Sequence, residues 1–394
     1  MTKKVDLVLV GGGGFGKNYI NILLNNISRD DYRIVAVVDI NPDGIHRKDE
    51  LADLGVKVYN DLEAFYAENH ADLAIITTPI HFHYPHVMTA LEHGSNVLCE
   101  KPLCALAEHG YDMINKSKEC NKFLAVGFQR SYSENVLALK KDIADGRFGK
   151  PLRCKAIVLW PRDKVYFSRS WAGRIKDNQG RYILDSVANN ATAHFLHNLF
   201  FLLSDKPDRV KAELYRSNPI ENYDTAALRV NTAGGVELMY YCTHSVDKMY
   251  SAIAMIEFEH GTVYHNEQGE KEKQLYAELK DGSSIIYGQC NIGDAPKLWN
   301  CINAIRHGDK IHCTAEDALA HLLCINAVQT NKDRIKKFPD GMICENEQRV
   351  WADGLYEAFI NCYEQWLLPS EAGYSWAQTA VEADVINFQG GEFR

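Results

Sequence analysis

A run of glycines near the first residue constrains this sequence more than any other feature. The run Gly11-Gly12-Gly13-Gly14-Phe15-Gly16 follows the apolar segment Val5–Val10 and precedes Gly16–Leu24, where apolar residues have helical spacing. A near-continuous apolar segment is typical of a parallel strand that is covered on both faces. Because the pattern G-x-G-x-x-G lies here between a strand and a helix, it predicts a dinucleotide-binding turn.

Each glycine of the pattern has a separate expected role. Gly11 permits the tight turn, Gly13 lets the backbone approach a pyrophosphate, and Gly16 lets the helix pack on the strand. Phe15 completes the turn, and the positive end of the helix favours the phosphate charge. The alternative is a flexible glycine-rich turn that binds no ligand.

Strand and helix signals alternate through the first 125 or so residues. Further strands are predicted at Ile34–Asp39, Leu73–Thr78, Val97–Cys99 and Phe123–Val126, and helices from Asp61 to His70 and at His83–His93 and Glu108–Cys120. Such alternation is typical of right-handed βαβ crossovers. It predicts an α/β domain over residues 1–127 with a doubly wound parallel sheet of the Rossmann type.

The pattern changes after Gly127. Apolar residues then occupy every second position in several segments, such as Leu152–Trp160, and Asp281–Gly282 is typical of a hairpin turn. Period-two strands indicate an antiparallel sheet with one face available for a partner. Residues 128–394 are therefore predicted to form a second domain, with capping boxes at Ser131/Glu134 and Thr314/Asp317 and helical patterns at Trp351–Trp366 and Trp376–Ile386.

Composition excludes several classes of protein. The 394 residues carry a formal net charge of -9 and no long basic run, which argues against a nucleic-acid partner. The 11 cysteines form no C-x-x-C pair, as expected of a reduced, cytoplasmic protein. No apolar stretch reaches 18 residues, so no membrane span is predicted.

An acidic residue ends the second predicted strand. Asp39 is placed to accept hydrogen bonds from the hydroxyls of an adenosine ribose and to repel a 2′-phosphate, which favours NAD over NADP. Two alternatives stay open: Asp39 caps the turn at Asn41-Pro42, or the nearby Arg47 and Lys48 admit NADP.

Two further turns follow the third and fourth predicted strands, at the edge where open α/β sheets bind ligands. Thr78, Pro79 and His83 are expected to flank the cofactor. A metal site formed by His81, His83 and His86 is disfavoured, since their spacing defines no tetrahedral site, and no metal is predicted. Glu100 and Lys101 follow the fourth strand. A cationic nicotinamide and partial desolvation disfavour the ammonium form of such a lysine, which could then hold a substrate hydroxyl and transfer a proton; the alternative is a solvated surface lysine.

These motifs resemble those of the glucose–fructose oxidoreductase and inositol dehydrogenase (Gfo/Idh/MocA) family. The resemblance rests on the following residues, in chain order: Thr77-Thr78-Pro79, His83, Ala90-Leu91, Gly94, Val97, Glu100-Lys101-Pro102 and Gly127-Phe128-Gln129-Arg130. It implies a Rossmann domain and an α+β domain with an open, mostly antiparallel sheet. It also implies NAD-linked oxidation or reduction of a sugar, glycoside or cyclitol, cofactor contact from Gln129, and a homo-oligomer, dimer or tetramer, built through the second sheet.

The family's second catalytic segment places an Asp four residues before a His at the start of a helix. The matching stretch here departs from that pattern, because Asn190 precedes His194 by four residues and Asp185 lies five residues earlier still. Asn can orient a hydroxyl but supplies no negative charge. Proton transfer is therefore expected from His194 with help from Lys101; for His194 and His197, packing on the helix is the alternative.

Aromatic and basic residues precede this segment, at Arg162, Tyr166, Trp171 and Arg174. Trp171 is expected to stack on a pyranose or to be buried in a core or interface, and Arg130 and Tyr132 are expected to line the substrate pocket beneath the nicotinamide. The sequence as a whole predicts an NAD-dependent sugar or cyclitol dehydrogenase. The rivals are an NAD-dependent glycosidase that oxidises its substrate transiently and a non-catalytic NAD-binding sensor.

Overall fold

A computed structural model describes residues 4–26, 30–329, 334–388 and 390. The chain divides into two compact units, Met1–Tyr132 with Asn291–Leu319 and Ser133–Cys290 with Ala320–Arg394. The predicted division near residue 127 therefore differs in one respect. The segment Asn291–Leu319 was expected in the second domain but belongs to the first compact unit.

Both units contain β-strands. They are β1 (Val5–Val10), β2 (Tyr32–Val38), β3 (Lys57–Tyr59), β4 (Leu73–Ile76), β5 (Asn96–Cys99), β6 (Leu124–Val126), β7 (Pro151–Leu159), β8 (Pro207–Arg216), β9 (Thr225–Thr232), β10 (Glu237–Thr243), β11 (Tyr250–Phe258), β12 (Gly261–Asn266), β13 (Leu275–Leu279), β14 (Ser284–Gly288), β15 (Ile335–Lys337), β16 (Ile343–Glu345), β17 (Val350–Ala352) and β18 (Val381–Asp384).

The α-helices follow in the same way. They are α1 (Gly16–Asn25), α2 (Lys48–Asp53), α3 (Leu62–Glu68), α4 (His83–Glu92), α5 (Ala107–Glu119), α6 (Glu134–Ala144), α7 (Lys164–Phe167), α8 (Ala193–Leu203), α9 (Ala295–His307), α10 (Ala315–Gln329) and α11 (Leu355–Gln365).

The first unit contains a six-stranded sheet in the order β3-β2-β1-β4-β5-β6, and its strands pair in parallel. This arrangement confirms the predicted doubly wound sheet. Its core joins side chains of β1 and α1 to Leu298 and Ile302 of α9. The carboxyl ends of β1, β2, β4 and β5 therefore present their following turns at one edge of the sheet.

The second unit contains a ten-stranded mixed sheet in the order β14-β13-β12-β11-β7-β10-β9-β8-β15, with β18 also paired to β8. Most neighbouring strands are antiparallel, as predicted, whereas β7 with β10 and β8 with β15 are parallel. Side chains of α11, including Phe359, pack with Ile157 and Tyr241 of the sheet. Along β11 and β12, buried and partly exposed residues alternate.

Local signals predicted several termini. The Asp61 carboxylate accepts a hydrogen bond from the Ala64 amide at the start of α3, and Gly94 follows α4 with φ 80°. At the start of α10, the Thr314 hydroxyl accepts a hydrogen bond from the Asp317 amide, and the Asp317 carboxylate accepts one from the Thr314 amide, as the capping box predicts. The hairpin turn at Asp281–Gly282 joins β13 to β14.

Two local predictions were wrong. The Ser131/Glu134 capping box does not form, because Ser131 lies buried in the 3₁₀ turn Gln129–Tyr132 and α6 begins after Ser133. The pattern at Trp376–Ile386 predicts a helix, but Val381–Asp384 is a strand, since β8 provides it with backbone hydrogen-bond partners. Tertiary hydrogen bonding thus overrode local periodicity.

Candidate active site

The glycine turn of the first unit has the geometry that its pattern demands. Gly11 has φ 97°, and a Cβ there would lie 2.8 Å from Thr77 Oγ1. A Cβ on Gly16 would lie 2.0 Å from the Gly11 carbonyl oxygen. Thr77 Oγ1 donates to that same carbonyl at 2.7 Å. Side chains are therefore excluded where the start of α1 meets the turn after β1.

The Asp39 carboxylate contacts this turn directly. Its Oδ2 accepts hydrogen bonds from the amides of Gly12 at 2.8 Å and Gly13 at 3.3 Å, and its Oδ1 accepts one from Asn41 at 2.8 Å. The predicted ribose acceptor thus also orders the glycine turn and caps the turn at Asn41. The sequence pattern does not distinguish the three roles of Asp39 as ribose acceptor, acceptor for the glycine turn and cap at Asn41, because each requires an acidic residue at the end of β2.

The turn retains room and donors for a dinucleotide. A Cβ on Gly13 would meet only the Gly44 carbonyl oxygen, at 3.4 Å, and one on Gly14 would meet nothing within 4 Å. Among the described residues, the amides of Gly14 and Phe15 have no protein acceptor. Open space beside two amides at the beginning of a helix fits a pyrophosphate.

The two cationic side chains that could have admitted NADP bind protein partners instead. Arg47 donates to both carboxylate oxygens of Glu50, at 2.7 and 2.6 Å, and also to Asn25 at 2.7 Å. Lys48 donates to Asp43 at 2.9 Å. These contacts direct both positive charges to protein partners and so favour NAD.

His83 holds two turns together. Its ring nitrogens lie 2.8 Å from the Thr78 carbonyl oxygen and 2.9 Å from the Pro102 carbonyl oxygen. Burial lowers the pKa of His83, against the opposing effect of these carbonyls. The structure therefore gives His83 a positioning role for the turns after β4 and β5. Pro79 is exposed in the first of these turns.

His86 completes the same turn. Its Nδ1 lies 3.1 Å from Thr78 Oγ1, and its ring stacks on Phe82 with 5.6 Å between centroids. Burial, followed by the charges of the neighbouring His83 and His81, lowers the pKa of His86 to about 4. His83 and His86 thus serve the local fold of this turn.

Glu100 is the centre of a buried charged cluster. Its Oε1 accepts a hydrogen bond from the Tyr19 hydroxyl at 2.7 Å and contacts the Lys297 ammonium, which lies 3.0 Å from Asp294. Its Oε2 accepts a hydrogen bond from the backbone amide of Lys101 at 3.2 Å. Burial, followed by the Glu100 charge, raises the pKa of Tyr19. Glu100 therefore anchors the turn that carries the half-buried Lys101.

The Lys297 partner was missed from the sequence, together with helix α9. Leu298, Cys301, Ile302 and Ile305 have the i, i+3, i+4, i+7 spacing of an apolar helix face. That spacing could have revealed the helix, but no local signal could have placed Lys297 beside Glu100.

The turn Gln129–Tyr132 follows β6. Gln129 is half-buried and Arg130 is buried. The Tyr132 hydroxyl donates to the carbonyls of Val126 at 3.0 Å and Cys313 at 3.2 Å. Tyr132 was expected to line the substrate pocket, but its ring is 2% exposed in the core of the first unit. We therefore assign it to packing.

In the second unit, the segment expected to carry catalysis begins with a π-helical turn, Val187–Ala191, directly before α8. Single π turns occur frequently at functional sites. Ser186 Oγ caps the turn by accepting the Asn189 amide at 3.2 Å. Asp185, which is 2% exposed, accepts the Gly173 amide at 2.6 Å and the Asn190 side-chain amide at 2.7 Å.

Two histidines lie one helical turn apart on α8. His194, at the second position of the helix, is 8% exposed. His197 is 1% exposed and its ring stacks on Phe201 at 5.7 Å. Burial lowers the pKa of His197 well below its ordinary value, and His321 and Lys140 act in the same direction. His197 is therefore a neutral packing residue.

Aromatic and cationic side chains surround Tyr166 in the same unit. Trp171 contacts its ring edge-on at 5.8 Å, and the guanidinium groups of Arg162 and Arg169 lie 5.3 and 5.1 Å from its centroid. Burial and the Asp185 charge raise the pKa of the Tyr166 hydroxyl, while both arginines oppose the rise. The sequence singled out Trp171 here but did not assign a role to Arg162 or Tyr166.

The described ranges contain no group of three or more His, Cys, Asp or Glu side chains suited to a metal ion. No helix in them has both the length and the apolar character that a bilayer crossing requires.

Comparison with known proteins places these features in a family. Residues 5–128 match the family described as "Oxidoreductase family, NAD-binding Rossmann fold", and residues 136–264 match the "GFO/IDH/MocA C-terminal domain". The inositol 2-dehydrogenase of Burkholderia lata is 32% identical over 253 residues, which cover 62% of this chain and 69% of that one.

The inositol 2-dehydrogenase of Klebsiella pneumoniae is 29% identical over 214 residues, or 54% of this chain. The chain spans 58% of that relative's length. Among solved structures, the WlbA dehydrogenase of Bordetella pertussis in complex with NADH and UDP-GlcNAcA has a TM-score of 0.68 at 22% identity. That similarity covers 82% of this chain and 94% of the other.

Proposed function

The chain belongs to the Gfo/Idh/MocA family of NAD-binding oxidoreductases, and on that premise we propose that it oxidises or reduces a secondary hydroxyl of a sugar, glycoside or cyclitol. The inositol 2-dehydrogenases to which it is similar support a polyhydroxylated substrate. When bound, NAD accepts or returns a hydride at the nicotinamide C4. The protein contributes orientation, charge and proton transfer.

One observation carries the proposal most directly. The space beside Gly13 and Gly14 is open, and the amides of Gly14 and Phe15 face no protein acceptor in the described part of the chain. Asp39 lies at the same turn. This combination suits a pyrophosphate and its adjoining ribose.

Residues that the sequence singled out have proposed roles in the chemistry. Lys101, whose amide is tied to the buried Glu100, would hold the reacting hydroxyl. His194, near the beginning of α8, would accept or return the hydroxyl proton. Asn190 donates to Asp185, and this pair would orient the carbinol.

An absorbance screen at 340 nm tests the function. Purified protein would be given NAD or NADP in parallel with sugars, cyclitols and aryl glycosides. The proposal expects NADH to accumulate with at least one substrate. Release of the aryl group without net NADH would instead indicate the glycosidase, and NAD binding without turnover across the panel would indicate a sensor.

Variants test the assigned residues. Lys101→Met is expected to lower kcat by about 10²-fold or more, a typical loss for a proton-transfer group, while NAD affinity by calorimetry stays within about threefold. Lys118→Met is the matched control, since Lys118 is 64% exposed and pairs with Glu316. Unchanged turnover in Lys101→Met would refute the catalytic assignment. His194→Gln is expected to behave as Lys101→Met does.

The ten-stranded sheet supports a further part of the proposal, a homo-oligomer. The alternating partly exposed residues of β11 and β12 leave one face less covered. Such a face suits a second copy of the chain. Light scattering coupled to size-exclusion chromatography would give the subunit number, and a monomer at micromolar concentration would contradict this part.

A further inference from the structure

An unbalanced positive charge lies beside the expected substrate residues of the second unit. We define the aromatic–arginine cluster as Arg162, Tyr166, Arg169 and Trp171. Arg169 lies over both rings, 5.1 Å from Tyr166 and 5.7 Å from Trp171. Arg162 lies 5.3 Å from Tyr166 and 5.8 Å from the ring of Trp160.

The described part of the chain provides no acidic partner for either guanidinium of the cluster. Within the described ranges, no Asp or Glu side chain forms an ion pair with Arg162 or Arg169, and the buried Arg162 Nε has no hydrogen-bond acceptor. By contrast, Arg174 pairs with Glu221 at 3.7 Å and Arg181 pairs with Asp177 at 2.6 Å. Buried donors are normally satisfied, so the Arg162 fork has capacity for an external acceptor.

The surroundings of Arg162 do not neutralise it. His244 is 3% exposed, and its Nδ1 lies 2.7 Å from the Trp160 carbonyl oxygen. Burial, followed by the Arg162 charge, lowers the pKa of His244 to about 3, so this ring stays neutral. The neighbouring Asp185 carboxylate already accepts bonds from Gly173 and Asn190.

The cluster is adjacent to the residues assigned to the substrate. Arg162 lies 5.3 Å from the centroid of the Tyr166 ring, which contacts Trp171. Two residues after Trp171, the Gly173 amide donates to the Asp185 carboxylate at 2.6 Å. Asp185 in turn holds Asn190, four residues before His194. An acceptor bound by Arg162 would therefore be presented on the same substrate as the reacting carbinol.

We propose that the aromatic–arginine cluster binds the carboxylate of an anionic pyranose, such as a uronate, and so selects an acidic substrate. Arg162 provides a planar fork that matches a carboxylate bidentately, and Arg169 adds a second positive charge. Trp171 offers a ring face to the sugar. The nearby Asp185 charge disfavours a dianionic phosphate over a single carboxylate. The inference deepens the proposed function and rests on it for the reaction.

Binding measurements test the anion site without requiring turnover. D-glucuronate, D-galacturonate and D-mannuronate would be titrated by calorimetry into the full-length protein with saturating NAD, beside their methyl esters. The esters have nearly the same shape but no charge. We expect at least one acid to bind tenfold or more tightly than its ester. Equal affinities of acid and ester, or no binding of any acid, would overturn the proposal.

A variant assigns the effect to the cluster. Arg162→Gln is expected to weaken uronate binding at least tenfold and to leave ester binding within about twofold, so that the acid loses its advantage. Arg209→Gln is the control, because Arg209 is exposed and pairs with Glu382 and Asp384 on the sheet. An equal loss for acid and ester in Arg162→Gln would show a merely structural role.

The two proposals fail separately. Arg162-dependent uronate binding, with no NADH formed from any compound of the absorbance panel or from the uronates, would preserve the anion site and refute the dehydrogenase. NADH production from the panel, with every uronate binding no more tightly than its methyl ester, would preserve the dehydrogenase and refute the anion site.

Discussion

The Asn190 side chain donates a hydrogen bond to the Asp185 carboxylate, with 2.7 Å between Nδ2 and Oδ1. The resemblance leads one to expect a carboxylate at position 190. Here an amide at that position is paired with a buried carboxylate five residues earlier. Asp185 also accepts the Gly173 amide, which fixes the orientation of the pair. The negative charge is thus kept in the segment, on a residue that precedes the π-helical turn and contacts it.

Restoring a carboxylate at position 190 should destabilise the protein in a pH-dependent way. In Asn190→Asp, two carboxylates would be in contact, so one acquires a raised pKa in the folded state. A raised folded pKa means that stability is retained below the unfolded pKa and lost as pH rises. We expect urea unfolding to show a loss of about 1–3 kcal/mol at pH 8 and a smaller loss at pH 4. Asn190→Ala, which adds no charge, should show a pH-independent loss.

Adding a methyl group at Gly13 should separate cofactor binding from folding. The nearest protein atom to such a Cβ is 3.4 Å away, so the unfolding free energy should change by less than about 1 kcal/mol. The methyl would occupy the space proposed for the pyrophosphate, and calorimetry should show NAD affinity falling tenfold or more. Gly16→Ala, whose Cβ would lie 2.0 Å from the Gly11 carbonyl oxygen, should instead disrupt the fold. Undiminished NAD binding by Gly13→Ala would remove the proposed cradle.

Neutralising Asp39 should relax the choice of cofactor. Asn keeps an oxygen that can accept the amides of Gly12 and Gly13, which Asp39 now binds, but it no longer repels a 2′-phosphate. The ratio of kcat/KM for NADP to that for NAD should rise about tenfold or more in Asp39→Asn. Asp30→Asn, at a residue 92% exposed, should leave the ratio unchanged. An unchanged ratio in both variants would leave Asp39 with only its role in the turn.

Removing the Lys297 charge should be costly for the first unit. Lys297 is 0% exposed and pairs with Glu100, whose side chain is 7% exposed. Lys297→Met leaves a buried carboxylate uncompensated, so we expect a loss of about 3–5 kcal/mol in chemical denaturation. The double variant Lys297→Met/Glu100→Gln should recover part of it. A double variant that is no more stable than Lys297→Met would contradict the assigned pair.

Stability at acid pH should depend on His244. Its pKa is about 3 in the folded protein against about 6.5 when unfolded. The unfolded state therefore binds the extra proton, and the contribution to stability is present above pH 6.5 and lost as pH falls towards 3. Between pH 7.5 and 5, the free energy of unfolding of His244→Gln should fall by about 2 kcal/mol less than that of the unaltered protein. His260→Gln, at an exposed residue, should show no difference, and parallel losses in all three proteins would contradict the prediction.

Much of the first unit could be predicted because its signals are local. The strand Val5–Val10 was predicted with its observed bounds, and the glycine turn carries its own geometric requirement. The Asp61 and Thr314 caps involve residues three positions apart. The sequence did not predict that Asn291–Leu319 belongs to the first unit. The apolar residues that pack against it lie on β1 and α1, nearly three hundred residues earlier in the chain.

The site divides in the same way. Residue types and their spacing indicated Lys101, His194, Asn190 and Asp185, and their catalytic roles stay predictions. The sequence left open whether Asp185 or Asn190 replaces the expected carboxylate, and folding brings the two into one hydrogen bond. His83 and Tyr132 were expected near ligands, and that stays a prediction; the sequence did not show that their polar atoms contact backbone carbonyls.

The sequence by itself determined the parallel sheet, the glycine turn after β1 and the family of the chain, since each depends on short spacings that local sterics and periodicity make readable. Only the tertiary structure decided that Glu100 is paired with Lys297, that Asp39 also orders the glycine turn, and that no acidic side chain among the described residues pairs with Arg162. These contacts depend on which side chains, far apart in the sequence, share a low-dielectric environment in the folded protein. The separation of two residues along the chain does not predict whether they do.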